Sequence, residues 1–555
     1  MAVICKYCRT ANQEGTQKCS LCGSQLPYTP APTPVAPPPA PTPTPTPTST
    51  PVNTAPTSNV TAGATHNRFT TFQDASWVSK WESAVSDLGP LEREFGLILT
   101  NTRGCSGSLK NELYMNLTEY INFKSTQGIE YFLLDLANQA VGTYTGEIES
   151  VIDILKAIDE KWRPLYIMII GDFATVPHIV WENRSNDPDK YVFSALPYTT
   201  LSLDCPFNDI HYNLEPLIKV GRIPTSAATG FKEAFTYLKN TRNSKLTVNE
   251  LKSFFLSAES WIECSKDIAK PIAPTLCVSP TNGSFEYKGS LDAYNVLMFN
   301  LHGSNGTHYW YGEDRFEDTG VAFTAPKLPK NRDYIICTEA CYGARPYNDG
   351  RNADSIVSTA LKNGCCAFVG STQIAWGGSD RASCADIVIR HFIRNMLDGY
   401  SAGESFNDAL TYVEQGRWDD CSLKTIIEFA LYGDPSYTPI GSDKKSSKTV
   451  KKRAFTKNNL AYRVVDGEEQ KAVSVKAAFV QDTEHCAVKV RAFVEEAHPD
   501  MKGIKPRFFI DECTGDYQAI YNKETKNNAI TKSVKVFFDT EGSIKEQYVS
   551  KYVKA

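Results

Sequence analysis

The chain has 555 residues, which is too long for one ordinary domain and predicts one large unit with smaller appendages. Its formal net charge is only -5, which argues against a general binder of nucleic acid or of membrane surfaces. The amino terminus lacks a basic stretch followed by an apolar region, and no run reaches the roughly 18 apolar residues that span a bilayer. We therefore expect a cytoplasmic protein that contacts no membrane.

Two pairs of cysteines open the chain. Cys5 and Cys8 form one CxxC pair, and Cys19 and Cys22 form a second. Four thiolates at this spacing are typical of a structural zinc ribbon, whose folding and metal binding are one event. We expect residues 1–26 to bind zinc and to offer a docking site for a regulatory protein. Nucleic acid is not the expected partner, because this segment holds too few cations for strong phosphate binding.

A Pro/Thr-rich tract follows at residues 27–66. It cannot form a core and should be disordered, tethering the ribbon at a distance from the rest of the chain. The remaining cysteines are scattered through apolar runs such as "GCCAFV", which favours buried, reduced thiols over a disulfide scaffold.

Short apolar segments alternate with helical patterns through residues 67–441, which we take as the main domain. Residues 148–161 and 355–362 have helical patterns. This alternation predicts an α/β fold with a mostly parallel sheet sandwiched by helices, whose functional loops leave the carboxyl ends of strands. The predicted strands are residues 95–99, 131–134, 165–170, 296–299, 334–337 and 365–369.

Beyond the main domain, residues 442–457 are basic and polar and are interpreted as a solvated linker, with a cleavage or docking site as the alternative. Residues 458–555 are expected to form a small β-rich or α+β module. Residues 488–494, "VKVRAFV", alternate as a strand does, and a turn signal at residues 539–542 follows an apolar run at 534–538.

Two predicted strands end in residues suited to chemistry. One run leads into "LHGS", with His302 and Gly303, and the next leads into "EACYG", with Cys341. Two strands of one parallel sheet with these ends could place an imidazole and a thiol over one crevice. There the thiol could attack a carbonyl and the histidine could deliver a proton to the leaving amine. His308, in the loop that contains His302, is a weaker candidate for that role.

These residues resemble the His and Cys motifs of caspase-like cysteine peptidases, and more specifically of the gingipain type. Further segments of this family occur in the same order over roughly residues 90–440, namely "IIGD", "LPY", "VGRIP" and "LYGDP". The resemblance implies that Cys341 is the nucleophile and His302 the general acid/base. It also implies that the N–H groups of Gly303 and Cys341 form the oxyanion hole, and that Glu182 orients His302, although Asp187 and Asp189 lie close to it in the sequence.

The resemblance also bears on the residue that precedes the cut. Trp376 matches the aromatic wall of the pocket for that residue. Many members have Ser-Asp before Leu-Pro-Tyr, and in the arginine- and lysine-cleaving gingipains an aspartate in this region binds the basic side chain. This chain has Ala195 there, which removes most of the reason for basic specificity unless another carboxylate such as Asp380 replaces it.

The expected function is therefore that of a cysteine endopeptidase, or thiol protease, which cleaves protein or peptide substrates through a Cys-His dyad and needs no cofactor for that chemistry. The zinc ribbon and the last module would recruit or regulate it. Two alternatives stay open: a caspase-like scaffold without turnover, and an adaptor whose main function lies in the zinc ribbon.

Overall fold

The computed structural model describes the main domain and much of the region after it. The described residues are 3–4, 11–12, 94–137, 144–162, 164–208, 214, 216–270, 272–305, 309–346, 355–379, 381–416, 419–440, 484–510, 517–524, 530–539 and 541–550. The zinc-ribbon cysteines, the two predicted linkers, His308 and Asp380 lie outside this set.

The elements of the described residues follow in chain order. The β-strands are β1 (Val3–Ile4), β2 (Ala11–Asn12), β3 (Glu94–Thr100), β4 (Ile129–Asp135), β5 (Tyr166–Ile170), β6 (Ile179–Glu182), β7 (Tyr191–Ser194), β8 (Lys219–Ile223), β9 (Ser253–Ala258), β10 (Thr275–Ser279), β11 (Val296–Asn300), β12 (His302–Gly303), β13 (Tyr309–Glu313), β14 (Thr319–Thr324), β15 (Tyr334–Thr338), β16 (Cys365–Ser371), β17 (Trp376–Gly377), β18 (Phe429–Gly433), β19 (Arg507–Ile510), β20 (Tyr517–Glu524), β21 (Ile530–Phe538) and β22 (Ile544–Ser550). The α-helices are α1 (Gly107–Thr126), α2 (Ile148–Trp162), α3 (Leu196–Thr200), α4 (Lys232–Arg242), α5 (Ile262–Ala269), α6 (Ile356–Asn363), α7 (Ala385–Leu397), α8 (Ala402–Gly416), α9 (Asp420–Glu428) and α10 (Glu484–Ala497).

A ten-stranded sheet forms the centre of the main domain, in the order β10-β9-β11-β15-β16-β18-β8-β5-β3-β4. Neighbouring strands are parallel except β16 and β18, which are antiparallel. The sheet therefore has two parallel halves that run in opposite directions. All six predicted strands are confirmed, because continuous apolar runs are what strands buried on both faces require.

Helices cover both faces of this sheet. Alternate residues of β11 show this directly: Leu297 and Phe299 belong to a core that includes residues of α1, α4 and α6. Val296 and Met298 belong to a second core with residues of α7, α8 and α9. Since successive side chains of a strand point to opposite faces, the expected sheet sandwiched by helices is confirmed.

The two predicted helices are observed as α2 and α6. The start of α6 is set by Ser355, whose side chain accepts a hydrogen bond from the Ser358 N–H. Its end is set by Gly364, which has a φ of 112° and so terminates the helix in the left-handed conformation. None of the helices in the described part of the chain is both long and apolar enough to cross a bilayer.

The described residues within 484–550 form an α+β unit, which we call the 484–550 module. Helix α10 packs on the antiparallel strands β19–β22, with a core of its own that includes Val490, Val494 and Val536. The prediction of a strand at residues 488–494 is wrong, because these residues lie in α10. Val490 and Val494 are buried one helical turn apart, whereas Val488 is 67% exposed, so the helical period determines burial despite the alternation. The apolar run at 534–538 is in β21, and the Gly542 N–H donates to the Asp539 carbonyl at 3.0 Å between this strand and β22.

The 484–550 module and the main domain share a sheet. Its order is β17-β22-β21-β20-β19, with Trp376 opposite Ser550 and Gly377 opposite Val549. Strand β17 belongs to the main domain, so the module extends a segment of that domain by strand pairing.

Candidate active site

The sheet register brings the His and Cys segments together. Phe299 of β11 is opposite Thr338 of β15, and the pairing continues with a hydrogen bond of 2.9 Å from the Glu339 N–H to the Phe299 carbonyl. His302 and Cys341 each lie three residues beyond this pair. The sheet therefore places both at the same edge, as the sequence predicts.

Gly303 is the closest point between the two segments. A Cβ atom at Gly303 would lie 1.8 Å from the carbonyl oxygen of Cys341 and 2.9 Å from its nitrogen. No side chain can fit there, so the glycine permits direct approach of two main chains. This contact is compatible with the oxyanion hole that the resemblance implies, which stays a prediction.

His302 is held by a carboxylate that sequence reasoning missed. Its Nε2 atom lies 2.6 Å from Oε2 of Glu313, and both side chains are buried. The Ser260 hydroxyl donates to the same oxygen at 3.0 Å, and the Trp261 ring packs on the imidazole with the ring centroids 4.3 Å apart. Burial favours a raised pKa for Glu313, but the charge of His302 and these hydrogen bonds lower that pKa to about 2.

The protonation of Glu313 determines which imidazole nitrogen is left for chemistry. An ionised carboxylate only accepts hydrogen bonds, so Nε2 of His302 must carry the proton that it donates. The Nδ1 atom is buried and makes no hydrogen bond within the described structure. In the neutral ring Nδ1 therefore holds a lone pair, and it is the atom available to take a proton from a reacting group.

Cys341 is also buried, with 1% of its surface exposed. Its thiol lies 3.8 Å from the Ala375 carbonyl oxygen. Burial raises the pKa of this thiol well above its ordinary value. The nucleophile candidate is therefore a thiol in this arrangement, and a base must deprotonate it before attack.

Glu182, the residue that the resemblance suggests for orienting His302, is exposed at the end of β6. It pairs across the strands with Tyr191. The carboxylate in contact with His302 is thus Glu313 and not Glu182. Glu313 lies at the end of β13, the strand that pairs with β12. Only the register of this pairing brings its carboxylate to the His302 imidazole, so the sequence alone did not reveal it.

A buried ionic cluster supports the other side of the site. The Lys424 ammonium lies 2.5 Å from Asp187 and 2.8 Å from Asp189. Asp189 also accepts hydrogen bonds from the Tyr342 hydroxyl and from the Ile374 N–H, at 2.5 and 2.7 Å. These contacts fix Tyr342, which follows Cys341, and Ile374, which precedes Ala375. Asp189, close to Glu182 in the sequence, thus holds the Cys segment in place.

The charged side chains of this cluster are buried, so each one shifts the pKa of its neighbours. Burial favours a lowered pKa for Lys424, but the charges of Asp187 and Asp189 raise that pKa above its ordinary value. Burial raises the pKa of Glu428, whose carboxyl lies 3.6 Å from the same ammonium. The ammonium therefore stays charged but can neutralise only one carboxylate, and burial together with the charge of Asp189 raises the pKa of Asp187 above its ordinary value.

The two described residues predicted to bind substrate lie in different places. Trp376 is fully buried in β17, and its indole N–H donates to Asp187 at 2.9 Å. Ala195 precedes α3 and lines a cavity with His178 and Arg222, which does not include His302 or Cys341. Only Trp376 therefore belongs to the segment next to the Cys341 thiol.

Within the described ranges, no group of three or more His, Cys, Asp or Glu side chains is arranged to hold a metal ion. Cys337, Cys365 and Cys366 are buried and form no disulfide, as the sequence predicts.

Comparisons with known proteins give a distant likeness. No protein-family model and no curated protein matches the chain. The Arg-specific cysteine proteinase gingipain R is similar with a TM-score of 0.46 and 11% identity, over 63% of this chain and 79% of its own. A structure described as a protease has a TM-score of 0.42 and 13% identity, over 84% of this chain and 93% of its own. A likeness at this level assigns no reaction, so the evidence for chemistry is the arrangement of His302, Glu313 and Cys341.

Proposed function

We propose that the protein is a cysteine endopeptidase of the gingipain type that cleaves protein or peptide substrates. The observation that carries this proposal is the buried pair of His302 and Glu313 beside the main-chain contact of Gly303 with Cys341. A nucleophile, a base and a group that orients the base are the parts that nucleophilic catalysis needs.

In the first half of the proposed reaction, Nδ1 of His302 takes the proton of the Cys341 thiol. The thiolate attacks the carbonyl carbon of the scissile peptide, and the N–H groups of Gly303 and Cys341 stabilise the oxyanion. The imidazolium then returns its proton to the leaving amine as the C–N bond breaks. Glu313 accepts from Nε2 throughout, so it keeps the ring oriented and stabilises its charged form.

In the second half, a water molecule loses a proton to Nδ1 and attacks the thioester carbon. The C–S bond breaks, the acid is released, and Cys341 recovers its proton from His302. Atoms and charge balance over the cycle with water as the only co-reactant.

We also propose that the substrate residue before the scissile bond is uncharged. Asp187, the carboxylate that accepts from the Trp376 indole, has a buried side chain and is already paired with Lys424, so it is not available to bind an arginine or lysine of a substrate. A site that desolvates a basic side chain without a carboxylate partner would disfavour it strongly.

A peptide library with every residue type before the cut tests both proposals. Purified protein should cleave it, and Cys341→Ala and His302→Ala should abolish cleavage. Cys277→Ala is the matched control, because it removes a thiol from the edge strand β10 and should leave the rate unchanged. Cleavage that survives both active-site changes would rule out the dyad, and cleavage mainly after basic residues would rule out the proposed preference.

The burial of Cys341 favours a second candidate, a scaffold without turnover. A peptide carrying a thiol-reactive group distinguishes the two. Once Cys341 is accessible to the peptide, a peptidase should be labelled there much faster than at Cys277, and a scaffold should not.

A further inference from the structure

The 484–550 module contacts the Cys side of the candidate site. Trp376 and Gly377, which pair with β22, follow directly after Ala375, the residue whose carbonyl lies against the Cys341 thiol. Trp376 shares a buried core with Phe537 and Tyr548 of the module. The Tyr548 hydroxyl donates to Asp419 at 3.0 Å, which ties β22 to the main domain at the start of α9.

The same module contacts the His side. Glu317 lies between β13, which ends in Glu313, and β14. Its carboxylate lies 3.3 Å from the Lys532 ammonium of β21. Lys532 in turn lies 3.1 Å from Asp500 of the module. The positive charge of Lys532 also contributes to the lowered pKa of Glu313, so the module acts electrostatically on the group that holds His302.

The module thus contacts the main domain both at β17, next to the Cys segment, and at the β13–β14 connection, next to the His segment. Cys341 is 1% exposed, His302 is 3% exposed and Trp376 is fully buried. A peptide carbonyl must come within about 3.5 Å of the attacking sulfur for reaction. With both reactive side chains buried, a substrate chain has no access to them in this arrangement.

Strand β21 contributes side chains to two different cores, one within the module and one shared with the main domain. Along β21, Val534, Val536 and Phe538 point into the module's own core, whereas Phe537 points into the core shared with Trp376. Lys535 is buried on that second face too, near the charges of Asp419 and Asp420. Because the module has a core that does not depend on the main domain, it can separate from that domain as a folded unit.

We propose that the 484–550 module is an autoinhibitory cover, which pairs with β17 and bridges to the β13–β14 hairpin so that substrate reaches Cys341 only when the module moves away. The inference rests on the proposed peptidase function and names its regulation. Strand addition to β17 means that any extended chain using that edge competes with β22. Activity then depends on the fraction of molecules in which the cover is displaced.

The test changes the shared face and leaves the module's core intact. Phe537→Ser combined with Tyr548→Ser removes the apolar contacts with Trp376. Glu317→Arg, on the main domain, places a cation opposite Lys532 and tests the other side independently. Val488→Ser is the matched control, because Val488 is exposed on α10 and faces neither the core nor the main domain. Thermal unfolding and hydrogen exchange of the module amides verify that each variant is folded.

Two rates are measured for the full-length protein and each variant: alkylation of Cys341 by iodoacetamide, read by peptide mass mapping, and cleavage of the peptide library. We call Phe537→Ser/Tyr548→Ser and Glu317→Arg the opening variants. Both should accelerate alkylation of Cys341 by about tenfold or more, because labelling follows the fraction of molecules with the module displaced. Val488→Ser should not change this rate. Unchanged alkylation in the two folded opening variants would overturn the cover.

The same measurements separate the two proposals. Faster alkylation without any peptide cleavage would support the cover and reject the peptidase. Cleavage at equal rates in wild type and opening variants would support the peptidase and reject the cover.

Discussion

His302 and Glu313 form a buried hydrogen bond of 2.6 Å, although the resemblance pointed to Glu182 as the partner of the histidine. The two carboxylates differ in burial, and only Glu313 is placed to set the tautomer of the imidazole. Their comparison gives the most direct test of the site.

Glu313→Gln should lower kcat by about a hundredfold or more with a smaller effect on KM, because an amide cannot stabilise the imidazolium as a carboxylate does. Glu182→Gln is the control and should leave kcat unchanged. Steady-state kinetics on one library-derived peptide provide the measurement. A larger loss in Glu182→Gln than in Glu313→Gln would return the orienting role to Glu182.

Glu313 should also make stability depend on pH. Its pKa is lowered from 4.5 to about 2 in the folded protein, so it stabilises the fold fully above pH 4.5. That stability is lost as the pH falls from 4.5 through 2, and it amounts to at most about 3 kcal/mol. Urea unfolding at pH 5 and pH 3 should show a steeper loss in wild type than in Glu313→Gln. An equal loss of stability between pH 5 and pH 3 in the two proteins would contradict the lowered pKa of Glu313.

Gly303→Ala should abolish most activity. The added methyl group would lie 1.8 Å from the Cys341 carbonyl oxygen, so the two main chains must separate. A displacement of about 1 Å in a catalytic group can cost about a hundredfold in rate. Gly107→Ala is the matched control, because a Cβ there meets nothing within 4 Å. Full activity of Gly303→Ala would exclude the close approach at this point.

Lys424→Met should destabilise the main domain by about 3–5 kcal/mol, because it leaves Asp187 and Asp189 buried without a counter-charge. Lys266→Met removes an ammonium that is more than half exposed in its pair with Glu263, and should change stability by about 0.5 kcal/mol or less. Denaturant unfolding of the two variants side by side provides the measurement. A small effect at Lys424 would mean that the aspartates take up protons instead.

The zinc proposal is tested by metal content. Purified protein should hold one zinc ion per chain, bound by Cys5, Cys8, Cys19 and Cys22, since four thiolates close one tetrahedral site. Cys5→Ser together with Cys22→Ser should lose it, as elemental analysis would show, while the Cys341 alkylation rate stays unchanged. Retention of zinc in that variant would place the metal elsewhere.

The sequence by itself determined the main architecture and the two candidate reactive residues. Short continuous apolar runs are typical of strands covered on both faces, and the His-Gly and Cys steps directly follow two of these runs. Because parallel neighbours end at one edge of a sheet, His302 and Cys341 could be paired without coordinates.

Only the tertiary structure decided what surrounds these two residues. Glu313 reaches His302 through a hairpin register, and Lys424 reaches Asp187 and Asp189 from a helix more than two hundred residues away in the chain. The helix at residues 484–497 formed where alternation predicted a strand, because burial of Val490 and Val494 outweighed local pattern. The pairing of β22 with β17 has no local signal either, since strand pairing depends on which edges the rest of the fold leaves open.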